Sequence, residues 1–328
     1  MDNLNYMDLM RWAESLVMEL EVDMSLERPL RNYIVNGRRL LALAMLPGEI
    51  SAHVAKLTAC TTMAAHAVFG THFFSEAMAT EARLNEINQK TREYFSTIDP
   101  VPLPGGPLRT ERQRGAQMID DVSTDSPIAN MAIESLLSNV IVQAWTLFET
   151  CACDLWITSV NLRPESLGKK AASAQPYKVK GKEESEKPND TDGVVIDWEM
   201  LAHYKFDLSE SMGTMFKVHR RFDFDRLAKI GHAYKAIFGK EVDACFSSDG
   251  EDSIFILEAL RNLFVHTGGV IDHVFMSRVK KHSTFSKMKL DSRFIVQGPM
   301  AAKYLDVCFS HCKKLFEFVN KWIKANPK

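Results

Sequence analysis

Glycine and proline fall in clusters along this chain, and between the clusters run long stretches in which apolar and polar residues never settle into strict alternation. That distribution restricts the fold sharply. Hairpins and meanders need period-two patterning and frequent turn residues, and a parallel sheet needs short apolar strands alternating with crossover helices. Neither pattern is present, so an all-α fold is predicted. The 46% hydrophobic content and 16 methionines supply ample side chains for buried helix faces.

Two breaks divide the 328 residues. Asp99-Pro-Val-Pro-Leu-Pro-Gly-Gly-Pro107 cannot continue a helix, because proline lacks the amide hydrogen and clashes with the preceding turn. It closes an N-terminal helical region, residues 1–98, with helices expected at Tyr6 to Leu20 and at Pro29 to Met45, and a long helix or helix pair from Pro47 or Ser51 to Tyr94. Residues 99–126 read as a linker ending in the acidic run Asp120 to Asp125, and residues 127–328 as the second domain. Within that domain Arg163 to Gly193 is rich in Lys, Glu, Ser and Asp, so a solvated loop is predicted. A final helix, Met300 to Ile323, carries Tyr304, Val307, Leu315 and Val319 on one side and should pack back on the domain's first helix.

The segment richest in chemistry is Arg261-Asn262-Leu263-Phe264-Val265-His266. Ile256, Leu260 and Leu263 fall at helical spacing, with Ile254, Leu257 and Phe264 widening the stripe. A start between Ser247 and Asp252 and a stop at Gly268-Gly269 are expected, since Ser and Asp cap first-turn amides and glycine accepts a left-handed conformation. His266 then sits in the last turn, where the helix dipole favours imidazolium. Asn262 and His266 share a face, while Arg261 points about 140° away from His266. One helix alone therefore makes a splayed site, which a second copy would complete.

Arg-Asn-x-x-x-His near the end of a late helix, followed by small residues, resembles the R-x4-6-H signature of HEPN domains. Val142 to Trp156, with its aromatic and leucine positions and Glu149, is similar to their first long helix. Gly213-Thr-Met-Phe, Phe222-Asp-Phe and Ile230 to Gly239 resemble the middle of longer defence-associated members, and His266-Thr-Gly-Gly-Val-Ile-Asp272 their turn after the motif. Arg226 and His232 meet the looser spacing too, but without the Asn or the glycine stop.

The resemblance implies an all-α HEPN-like helical bundle over residues 127–328 with an additional N-terminal helical region. It also implies a metal-independent endoribonuclease of toxin–antitoxin or phage-defence type. RNA would be the substrate and a homodimer the working form, with Arg261, Asn262 and His266 catalytic. The single strand supplies its own 2′-hydroxyl nucleophile, so no cofactor is expected. Some HEPN toxins are silenced at a tyrosine two residues after the histidine; here that position is Gly268, so any antitoxin or activating partner must act otherwise. A non-catalytic HEPN-like module binding RNA, nucleotide or protein is the alternative. The N-terminal region, with Arg28 to Asn36 and His53, His66 and His72, contains no matching Arg and His pair.

Charge adds direction. Net charge is −2, yet residues 1–126 balance at −5 and residues 127–328 at +3. Arg278, Lys280 and Lys281 follow the motif closely and are candidates to touch RNA phosphates. Cys60, Cys151, Cys153, Cys245, Cys308 and Cys312 lack the paired spacing of a zinc site and read as apolar filling in a reduced compartment. The acidic N-terminus lacks a signal sequence and no run reads as long enough to cross a bilayer, so a cytoplasmic protein without membrane contact is expected.

Overall fold

The computed structural model describes residues 4–16, 18, 20–70, 80–97, 111–174, 198–205, 207–208, 210–219, 222–247, 253–285 and 287–327. Among these are thirteen α-helices and no strand: α1 (Tyr6–Ser15), α2 (Glu27–Phe69), α3 (Glu81–Thr97), α4 (Glu111–Asp125), α5 (Pro127–Leu162), α6 (Lys169–Ser173), α7 (Trp198–His203), α8 (Met212–His219), α9 (Leu227–Phe238), α10 (Asp243–Phe246), α11 (Ile254–Thr267), α12 (His273–Val279) and α13 (Gly298–Ala325). The protein is all-α. The Pro/Gly break at 99–107 lies outside the described residues, as does most of the polar segment 163–193, whose start forms a turn of π-helix and α6. Residues 111–125 of the expected linker are helix α4.

Two compact units result, and their borders cut across the helices. One comprises residues 1–16, 41–137 and 296–302; the other comprises 17–40, 138–295 and 303–328.

In the first unit α1 is held at its first turn. Asp120 of α4 accepts the amides of Tyr6 at 2.7 Å and Met7 at 3.0 Å, two of the donors a helix start leaves unpaired. Burial pushes the Asp120 carboxyl above the usual carboxylate range, against the pull of those two bonds. α2 runs unbroken through Pro47, where the sequence predicts one helix ending at Met45 and another beginning at Pro47 or Ser51. The reason lies 41 positions upstream. The Tyr6 hydroxyl donates to the Ala44 carbonyl and accepts from the Gly48 amide at 3.5 Å, standing in the rung that Gly48 and Ala44 would otherwise close. Beside it α4 crosses α2 at backbone contact, since a Cβ on Gly115 would lie 2.0 Å from the Gly48 carbonyl oxygen.

The second unit is built on the buried face of α5. Trp145, Phe148, Leu155 and Trp156 are fully inside, each worth roughly 2–3 kcal/mol of transfer free energy. Two polar tips are satisfied by backbone: the Trp156 indole donates to Ala233 at 2.9 Å and the Tyr234 hydroxyl to Ala152 at 2.8 Å. These two bonds tie α9 to α5. Toward the C-terminal helix the Cys308 thiol reaches the Ala144 carbonyl at 3.0 Å, and Phe148 meets His311 edge-on, so the last helix packs on the first as expected. Tyr304, Val307, Leu315 and Val319 are all buried.

By length and composition alone, two helices are apolar enough to cross a membrane, Met24–Phe69 and Pro127–Leu162, contrary to the expectation from sequence. Half of the apolar window in the second is buried inside the fold, against 22% in the first.

Candidate functional site

Ser253 caps α11, its hydroxyl accepting from the Ile256 amide, and the first turn begins at Ile254. Ile254, Ile256, Leu257, Leu260 and Leu263 are buried and hold the helix by its apolar stripe. The far end is closed by glycine. Gly268 and Gly269 take φ of +61° and +87°, and both amides turn back to the Leu263 carbonyl. The chain then pairs briefly with residues 291–294, Ile271 donating to Ser292 at 2.9 Å and Phe294 to Gly269 at 2.8 Å. Beneath this turn Phe264, Phe275, Phe285 and Phe294 form an aromatic cluster with centroid distances near 6 Å.

On this platform the three motif residues occupy different surroundings. His266 is exposed, and among the described residues no hydrogen bond or ion pair engages it. Arg261 is half-buried: its Nη1 donates to the Asn262 side-chain oxygen at 2.9 Å, while its Nε is buried without a hydrogen-bond partner among the described residues. Asn262 thus engages the guanidinium. Arg261 also acts on Glu149 of α5; burial raises that carboxyl above its ordinary range and the arginine's charge opposes the rise. Lys217 of α8 and Cys153 of α5 share the neighbourhood, the thiol being pushed up by burial and pulled down by the lysine.

Glu149 is visible in the sequence as an internal glutamate to which spacing assigns no role, and Cys153 lies one turn along the same face of α5. Lys217, 44 positions before Arg261, gives no signal at all in the sequence.

The basic residues after the motif separate as well. Arg278 forms an ion pair at 2.7 Å with Glu258 of α11, whose side chain is only 2% exposed, and lies over the Phe255 ring. Its charge is neutralised inside the fold. Lys280 and Lys281 are exposed. Arg226 precedes α9 and His232 lies within it, half-buried near Phe222. His53 and His66 are ordinary members of α2, bonded to backbone carbonyls, and His72 lies outside the described residues. The six cysteines are free, and no described group of His, Cys, Asp and Glu could hold a metal ion.

What fold and site define together is an all-α protein presenting an exposed histidine about one and a half turns beyond an Arg-Asn pair, at a glycine-capped helix end. The chain matches no protein-family model, no curated protein and no solved structure.

Proposed function

We propose that this protein is a metal-independent endoribonuclease of the HEPN type, serving as a toxin or phage-defence effector in the cytoplasm. The observation carrying this reading is the exposed imidazole of His266 at the end of the helix that also orders Arg261 through Asn262. Imidazole can both take up and give a proton, which suits proton transfer in this reaction. The guanidinium offers parallel donors to a phosphate.

In the reaction the 2′-oxygen attacks the adjacent phosphorus, the bond from phosphorus to the 5′-oxygen breaks, and the ends are a 2′,3′-cyclic phosphate and a 5′-hydroxyl. One imidazole takes the 2′-hydroxyl proton. A second, from another copy of the chain, protonates the departing 5′-oxygen, so this reading calls for a homodimer. Arg261 neutralises charge on the pentacoordinate phosphate. An antitoxin or activating protein would act on this site without a tyrosine two residues past His266, because Gly268 stands there.

The half-burial of Arg261, with its Nε inside the fold, favours a second reading, a non-catalytic module that binds RNA, nucleotide or a protein partner. Incubation with mixed single-stranded RNA in EDTA separates the two. The nuclease reading expects cyclic-phosphate ends, lost in His266→Ala and Arg261→Ala and absent with DNA, with Arg261→Lys checking that the loss is not misfolding. Intact RNA in every lane from folded protein favours the module.

A further inference from the structure

The stretch of α2 from Arg28 to Leu40 carries four arginines and no acidic residue. Helical geometry sorts ten of these thirteen positions, Leu30, Ile34 and Asn36 being half-buried. Pro29, Tyr33, Gly37 and Leu40 are buried, with Tyr33 against Phe309 and Phe316 of α13, while Arg28, Arg31, Asn32, Val35, Arg38 and Arg39 are exposed. At 100° per residue those six lie within a sector of about 120°, and from Arg28 to Arg39 they extend about 16 Å along the axis. Arg31 pairs with Glu27 at 2.6 Å, whereas among the described residues no ion pair holds Arg28, Arg38 or Arg39. Two further acids approach the face at its N-terminal end. Asp154 accepts from Asn32 at 2.9 Å, and Glu210 lines the cavity of about 340 Å³ that begins at Arg28.

We propose that this arginine row is a track for the phosphate backbone of single-stranded RNA, separate from the site on α11. The composition of the face selects the partner. A protein interface centres on buried aromatic or aliphatic anchors, and a membrane-surface helix sets apolar residues beside its cations; between Arg28 and Leu40 Val35 is the one exposed apolar residue. A polyanion bound through repeated charge needs cations alone. All four are arginine, whose planar fork grips a phosphate bidentately. The proposal borrows from the nuclease reading only the choice of RNA as the polyanion.

The test is fluorescence anisotropy with a labelled 2′-O-methyl oligouridylate, which lacks the attacking hydroxyl and so reports binding without cleavage. Arg28→Gln/Arg38→Gln/Arg39→Gln alters only exposed side chains. Binding about tenfold weaker at low salt is expected, with a log Kd against log salt slope about 2 units shallower, since each phosphate that goes without its cation removes about 0.7 from the slope. The triple lysine variant should keep the slope. Lys313→Gln/Lys321→Gln/Lys324→Gln on α13, with the same change in net charge, should bind as wild type. A glutamine triple variant with unchanged affinity and slope overturns the proposal, as does an equal weakening in the α13 variant. Intact RNA in the cleavage assay with arginine-dependent binding sinks the nuclease reading alone; His266-dependent cleavage at wild-type KM in the glutamine variant sinks the track alone.

Discussion

Replacing Arg278 with methionine should destabilise the second unit by about 3 kcal/mol, because it strands the Glu258 carboxylate inside the fold. The side chains meet at 2.7 Å, with Glu258 2% and Arg278 27% exposed. Removing one partner of a buried pair costs roughly 3–5 kcal/mol. The lower end applies here: water reaches the arginine side, and the Leu227 amide still faces the carboxylate at 3.4 Å. Methionine keeps much of the apolar stem that covers Phe255. For a unit of about 200 residues this corresponds to a fall of roughly 6–12 °C in Tm. Urea titration followed by tryptophan fluorescence, with scanning calorimetry beside it, would read the loss. Glu258→Met/Arg278→Met removes the stranded charge and should recover at least about half of it. A loss under about 1 kcal/mol in the single variant, the worth of an exposed pair, would refute the reasoning.

His311 gives a prediction in pH. Burial lowers its folded pKa, against the pull of the Nδ1 bond to the Val307 carbonyl at 2.8 Å, so the unfolded chain takes up the proton first as pH falls below about 6.5. Stability should decline from there toward the lower folded value, and urea midpoints measured across that range should depend less on pH in His311→Gln; identical profiles would discount the residue. Gly115→Ala should cost about 2–3 kcal/mol by calorimetry, since the new Cβ meets backbone of Gly48 and Ala52 on α2. Gly231→Ala in α9, with nothing within 4 Å, should instead gain about 0.5–1 kcal/mol.

The parts of this structure that rest on neighbouring residues are readable in the sequence. The glycine stop of α11 depends on two positions next to the helix, and the apolar side of α13 on spacing within it. Arrangements set by distant partners are not. Pro47 signals a break that the Tyr6 hydroxyl bridges, and Arg278 looks like one cation among several until Glu258, a helix earlier, proves to hold it. At the motif, spacing predicts that Arg261 and His266 diverge around the helix. Which of them is half-buried depends on what packs against the helix, and Glu149, whose carboxyl the Arg261 charge reaches, lies more than a hundred residues away.

The tyrosine hydroxyl in the α2 ladder bears on the order in which the chain can assemble. Helix formation is ordinarily a local event of about a microsecond, complete before distant segments meet. Here the rung between Ala44 and Gly48 is closed by a side chain from α1, and α1 is itself capped by Asp120, 114 positions beyond Tyr6. α2 would therefore first wind as two shorter coils and join only when α1 and α4 have docked, making that junction a late step governed by loop closure. Tyr6→Phe should slow the joining more than it disturbs either coil.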